Sequence, residues 1–285
     1  MIKNIVLSGG AYLGLLEFGV LQYLNENLYY DISEIEKIYG TSIGGFIGAI
    51  LCLKIDMKDV IEYITDRPWH NLISFSPSIL SDFYSKKGFI NKNICEIALS
   101  NLLRSVDLDT NITLKNFYEY SNIELHLYTI SLGDFELKDL SYKTYPDLLL
   151  VDAIYMSCSV PYIFQPLNIE GEYYIDGGFI CNYPISYCIK DNAKEDEILA
   201  IAFNNSGKTK HISEQNIFEF VYLIHNKLTQ FTRQKNNNLN IKNEIIIDCD
   251  GLNLEDAHNL IFSKELRQSY IKRGYDFAEH FLQNL

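Results

Sequence analysis

Basic residues are scarce in this 285-residue chain, cysteines are unpaired by spacing, and long apolar runs are missing. Lys and Arg number 24 against 37 Asp and Glu, a formal net charge of −13. Nonspecific nucleic-acid binding needs a basic footprint, so that class is excluded, and so is simple electrostatic docking on anionic membranes. Any membrane contact has to be local and apolar. The six cysteines, Cys52, Cys95, Cys158, Cys181, Cys188 and Cys249, contain no C-x-x-C pair. They form neither a disulfide framework nor a zinc site, and they read as reduced thiols of an intracellular protein. The longest apolar stretch, Ile43 to Leu53, falls far short of the ~20 residues that a membrane-spanning helix takes. Only Lys3 is basic near the start, and Gly9-Gly10 interrupts the first apolar run, so a cleavable signal is not expected. Repeats and Pro/Ser/Gly-rich linkers are absent too. Hydrophobic residues make up 47%, enough for one large core, and the expectation is a single cytoplasmic domain over 1–285.

What the chain does contain is an alternation of short apolar runs, glycine turns and helical patterns. Ile2 to Leu7 reads as a buried strand stopped by Ser8-Gly9-Gly10. Leu15 to Leu28 carries apolar residues at helical spacing. A second strand-like run, Ile35 to Tyr39, meets Gly40-Thr41-Ser42-Ile43-Gly44, and the small and apolar residues to Leu53 predict a tightly packed helix. Two strand–glycine turn–helix units in succession predict an α/β fold with a central, largely parallel sheet. Further strands are expected at Glu124–Leu132, Phe135–Tyr142, Tyr173–Asp176, Ile198–Phe203 and Glu244–Ile247. Helices are expected at Asn91–Val106, Leu114–Ser121, Leu149–Ser157, Ile217–Lys235 and Ser263–Leu282. The stretch from Arg67 to Phe89 reads as irregular and aromatic.

Three elements carry chemistry. Gly40-Thr41-Ser42-Ile43-Gly44 fits G-x-S-x-G, a sharp strand-to-helix turn that projects a serine hydroxyl at a helix start. A plain turn with an N-capping serine is the alternative. Ser8-Gly9-Gly10-Ala11 follows a strand with small residues whose amides can bind an anion or an oxyanion. A dinucleotide loop fits poorly, because Ala11 stands at the second glycine and the second strand ends without an acidic residue. Asp176-Gly177-Gly178 ends a predicted strand, where an α/β fold places catalytic groups. A serine nucleophile needs a base. None of His70, His126, His211, His225, His258 and His280 lies in a glycine-bounded turn, and His126 reads as a satisfied core histidine. Asp176 is the better candidate.

The three elements in this order resemble the patatin-like phospholipases, lipid acyl hydrolases with a Ser–Asp dyad. Asp152 to Phe164 resembles that family's A-x-x-x-S-x-x-x-P-x-x-F segment, and Tyr174 to Pro184 its D-G-G…N-x-P segment. Ile112 to Phe117 resembles the segment ahead of a central strand. The resemblance is clearest over 5–184, with 185–285 completing the fold. It implies a three-layer α/β fold with a mostly parallel sheet flanked by helices. It implies Ser42 as nucleophile, Asp176 as general base, and the amides of Gly9, Gly10 and Ala11 as the oxyanion hole. Gly40 and Gly44 would shape the elbow, Gly177 and Gly178 the acid's turn, and Asn182 and Pro184 would hold that turn. No metal or other cofactor is implied. The expected substrate is a phospholipid or another acyl lipid, met by peripheral contact with a membrane or lipid aggregate. Triacylglycerol lipase, lipid acyltransferase and a catalytically weak lipid-binding protein are the alternatives. Two residues depart from the family: Ala11 stands for a third glycine, and Leu13 for a basic residue at the helix start. The block Trp69, Leu72, Ile73, Phe75, Ile79, Leu80, Phe83 and Tyr84 either covers the acyl pocket or is a packed connection.

Overall fold

The computed structural model describes residues 1–72, 79–204, 241–249 and 254–285, with 219–221, 223–224 and 227–228 between them. The chain order is β1 (Asn4–Leu7), α1 (Gly14–Glu26), β2 (Lys37–Thr41), α2 (Ile43–Cys52), α3 (Met57–Asp66), α4 (Ile79–Lys86), α5 (Asn93–Arg104) and α6 (Leu114–Ser121). It continues with β3 (Glu124–Ser131), β4 (Leu137–Leu140), α7 (Leu150–Cys158), β5 (Leu167–Ile169), β6 (Glu172–Asp176), α8 (Gly178–Cys181) and α9 (Ile185–Lys190). The last elements are β7 (Ile198–Asn204), β8 (Asn243–Asp248), α10 (Leu254–Phe262) and α11 (Lys264–Gln283).

One sheet runs β5-β6-β3-β2-β1-β7-β8, with β4 added on β3. The five strands from β3 to β8 are mutually parallel, as the strand–turn–helix alternation predicts. β4, β5 and β6 are antiparallel additions at the β3 end. Because successive side chains in a strand point to opposite faces, Ile5, Leu7, Ile38, Leu125 and Leu127 enter the main core, while Val6, Tyr39 and Tyr128 enter a second one. The main core packs under α1, α2, α5, α7 and α11, and Ile185 and Cys188 of α9 close the second. The result is the three-layer α/β arrangement expected. On the main face α11 runs beside α1, with edge-to-face ring pairs Tyr12–Tyr270, Tyr23–Tyr275 and Tyr29–Phe281.

Several expectations need correcting. The 67–89 stretch is not irregular throughout, since α4 occupies Ile79–Lys86 and a short turn of 3₁₀-helix Trp69–Leu72. Of the proposed lipid-facing block, Ile73 and Phe75 lie outside the described residues, as do His211 and His225. Phe83 stacks on Phe89 with centroids 4.4 Å apart, and the Trp69 indole donates to the Ile64 carbonyl, so both are packed, whereas Tyr84 is 90% exposed. Leu13 is buried in the main core. It therefore occupies the helix start as a packing residue, and a charge there would be desolvated. Among the described residues of the expected helix 217–235, those at 219–221, 223–224 and 227–228 are helical.

Candidate active site

Strand register places the two candidate catalytic residues end to end. β2 pairs with β3 through Tyr128, opposite Thr41. β4 takes the other edge of β3, because it pairs with Leu127 and Tyr128 as well. β6 pairs with Thr129, Ile130 and Ser131, two of which also pair with β4. A strand has only two edges, so β6 must occupy the edge that β2 leaves. Thr129 lies opposite Asp176, one step beyond the Thr41–Tyr128 pair. Ser42, the residue after Thr41, thus meets Asp176 where one strand departs and the other arrives.

The turn at Ser42 is sharp. Its backbone is at φ 55 and ψ −126, a region that non-glycine residues rarely adopt. Glycine is required on both sides because backbone crowds both positions. A Cβ on Gly44 would lie 2.5 Å from the Leu7 carbonyl oxygen, and one on Gly40 2.5 Å from the Gly45 nitrogen. Thr41 Oγ1 donates to the Cys181 carbonyl at 2.8 Å, tying the end of β2 to α8.

Asp176 is fully buried. Its Oδ1 accepts from the Gly178 amide at 2.7 Å, and apart from the neighbouring Ser42 hydroxyl its Oδ2 has no partner among the described residues. Burial pushes its carboxyl up to about 7, against the opposing pull of the Ser42 hydroxyl and the Gly178 amide. Such a group is half ionised at neutral pH, the condition in which a carboxylate works best as a general base. Gly177 packs against the Tyr128 carbonyl, where a side chain has no room. None of the described histidines hydrogen-bonds to Ser42 or Asp176. His126 is held elsewhere, with Nδ1 2.8 Å from Asp139 and Nε2 3.1 Å from Glu124.

The glycine loop lies against Ser42: a Cβ on Gly9 would come 3.2 Å from Ser42 Cβ. The loop divides the three expected donors. The Gly9 amide donates to the Asn182 carbonyl at 2.9 Å, and the Asn182 side-chain amide returns a bond to the Gly9 carbonyl at 2.8 Å. Gly9 is therefore clamped, and its N–H is already committed. Gly10 and Ala11 donate their amides to no acceptor among the described residues. Ala11 has φ 50, which explains why glycine suits the position. Asn182, expected to hold the Asp176 turn, holds the glycine loop instead, and Pro184 caps the start of α9. The residues that sequence reasoning missed are Ser157 and Thr129. Ser157 Oγ accepts the Ser42 amide at 2.9 Å, and Thr129 Oγ1 donates to the Ile175 carbonyl at 2.8 Å. Ser157 did stand at the serine of the A-x-x-x-S segment, whereas nothing marked Thr129.

The patatin-like phospholipase family model matches residues 5–189. The chain belongs to that family. Protein R571 of Acanthamoeba polyphaga mimivirus is 29% identical over 206 residues, covering 72% of this chain and 66% of the viral protein. A probable lipid hydrolase, 463L of Invertebrate iridescent virus 6, is 28% identical over 207 residues, covering 70% of this chain and 69% of its own. In three dimensions the chain superposes on VipD from Legionella pneumophila with a TM-score of 0.59 at 18% identity, over 99% of this chain and 67% of VipD. The patatin-like chain thus spans about two thirds of the length of each of these proteins. Among the described residues, no group of three or more His, Cys, Asp or Glu is placed to hold a metal, and no helix is long and apolar enough to cross a membrane.

Proposed function

We propose that this patatin-like protein is a serine lipid acyl hydrolase acting on phospholipid-type esters. Ser42 is the nucleophile and Asp176 the general base. The observation that carries the reading is the end-to-end placement of a strained elbow serine against a buried carboxyl whose second oxygen has no other partner among the described residues. Asp176 takes the Ser42 proton as the hydroxyl attacks the ester carbonyl. The tetrahedral oxyanion is met by the Gly10 and Ala11 amides, with Gly9 serving as their clamped anchor. As the oxyanion collapses, the bond between the acyl carbon and the alcohol oxygen breaks, and Asp176 gives its proton to the departing alcohol (the lysolipid). Asp176 then takes a proton from water as the water attacks the acyl-enzyme, and returns it to the Ser42 oxygen as the free fatty acid leaves. The substrate comes from a membrane or lipid aggregate, by peripheral contact from an intracellular location. The exposed Tyr84 supports contact near the end of α4, since a tyrosine ring suits the lipid–water boundary.

A fluorophosphonate probe together with a phospholipid panel tests the assignment. Ser42→Ala is expected to lose the label and to slow ester hydrolysis by on the order of 10⁴ to 10⁶. Robust turnover by a folded Ser42→Ala variant would remove the serine mechanism.

A further inference from the structure

The last turn of α7 touches both halves of the dyad. Ser157 is fully buried, and its hydroxyl makes two bonds. It accepts the Ser42 amide at 2.9 Å and donates to the Tyr128 carbonyl at 2.7 Å. That carbonyl is the surface against which Gly177 packs, directly after Asp176. Two residues further on, the Ser159 carbonyl accepts the Asp176 amide at 3.0 Å. The single Thr129 hydroxyl proton lies between two acceptors, the Ile175 carbonyl at 2.8 Å and the Met156 carbonyl at 3.1 Å. Residues 156–159 therefore hold the backbone on either side of the place where β2 departs and β6 arrives.

We infer that Ser157 is a positioning residue for the reaction, and that the α7 C-terminal turn sets the separation of Ser42 from Asp176. The inference rests on the roles assigned to Ser42 and Asp176 above. Its physical basis is that the Ser42 amide leaves the β2–β3 ladder at the elbow and would otherwise be buried without an acceptor. Only a group that accepts and donates at once can satisfy that amide and the Tyr128 carbonyl together, and a hydroxyl does both. Ser157→Ala removes both bonds. The elbow is then free to relax from its strained conformation, which moves the Ser42 hydroxyl relative to Oδ2 of Asp176. Misplacement by about 1 Å costs on the order of 10²-fold in rate.

The test compares wild type, Ser157→Ala and Ser157→Cys on a soluble short-chain ester and in the rate of fluorophosphonate labelling. Thermal unfolding runs alongside, and Ser42→Ala serves as the dead control. The Ser157→Ala variant is expected to unfold cooperatively, to lose roughly 30- to 100-fold in kcat and in labelling rate, and to keep KM within about 3-fold. If it does not fold, Ser157→Cys, nearly equal in size but a weak acceptor, carries the same expectation. A folded variant at either position with wild-type kcat and labelling overturns the inference. A uniform rise in KM at unchanged kcat overturns it too, and so does failure of both variants to fold, which would make Ser157 a folding residue. Activity in Ser42→Ala would instead overturn the assignment on which the inference rests.

Discussion

Two buried ionisable groups sit a few residues apart along the middle of the sheet, and their surroundings are opposite. His126, on β3, stacks on Tyr39 of β2 with ring centroids 4.5 Å apart. Burial pulls its imidazole down, but Asp139 and Glu124 outweigh burial and hold it at about 9. Glu124 is paired in turn with Lys143 at 2.7 Å, and the Tyr39 hydroxyl donates to Asp191 at 2.8 Å. Asp176, where β2 gives way to β6, has no cation beside it among the described residues, and its Oδ2 faces only the Ser42 hydroxyl. The His126 cluster pairs each charge with an opposite one and so ties the strands together. Asp176 has no opposite charge to pair with among the described residues, which leaves its carboxyl free for the role proposed for it. The same strands serve stability at His126 and the proposed chemistry three positions further along β3, where Thr129 faces Asp176.

The largest effect expected from breaking this contrast is at Asp176. Asp176→Asn keeps the shape and can still accept from Gly178, but it removes the base, so kcat should fall by roughly 10³ to 10⁴. Wild-type kcat/KM should rise with pH through about 7, as the carboxyl ionises. The residual activity of the variant should lack that inflection. Stability should move the other way. The folded-state pKa lies above the unfolded value, so the folded protein binds the extra proton between them, and stability is lost as pH rises through about 7. At pH 8 the Asn variant should therefore be more stable than wild type, by roughly 2–4 kcal/mol. Denaturant titrations at pH 5 and pH 8 check this, and equal stability of the two proteins at pH 8 would mean that Asp176 carries no burial cost.

The paired cluster should answer in stability alone. His126→Ala leaves Glu124 and Asp139 without their shared cation, at a cost of about 3–5 kcal/mol. Turnover by the folded fraction should remain within a few-fold of wild type, since the ring touches neither Ser42 nor Asp176. In the wild-type protein the His126 contribution is complete below about pH 6.5 and is lost as pH rises through about 9, because its folded pKa is the higher one. A His126→Ala variant that is stable but inactive would reverse the comparison and return the base to a histidine.

Much of this arrangement can be read from the sequence because local patterns report local geometry. A strand, G-x-S-x-G and a helix in succession require an elbow, and Asp-Gly-Gly after Tyr173-Tyr174-Ile175 places a carboxyl at a strand end. What no local pattern reports is that β6 takes over the edge of β3 that β2 leaves, since strand order is decided by packing between distant segments. The same limit hid the reciprocal Gly9–Asn182 clamp, whose partners are 173 residues apart, and with it the fact that the Gly9 amide is occupied. The Ser157–Ser42 bond spans 115 residues. Helix α3 is a different kind of miss, because Met57, Val60 and Ile64, all buried, already follow helical spacing after the capping Asp56. Leu13 shows the reverse case, where a residue notable for departing from a family pattern is simply core.

The smallest effect concerns Ala11, the second strained non-glycine residue at the site. Its φ of 50 matches that of Ser42 at 55, yet the two positions differ in what holds them. Ser42 is buried, and its amide is bonded to Ser157, whereas Ala11 is exposed and its amide has no acceptor among the described residues. Strain at Ala11 is then a cost of sequence rather than a device of the elbow. Ala11→Gly should relieve it, less the greater unfolded-state freedom of glycine, for a net gain of roughly 0.5–1 kcal/mol. In a domain of this size that is a rise in Tm of about 1–3 °C. The amide stays in place, so kcat should change by less than about 3-fold. A stabilised variant whose kcat falls by 10² or more would show that the methyl group or the strain at Ala11 shapes the oxyanion site, and the two strained positions would then have to be treated as one device.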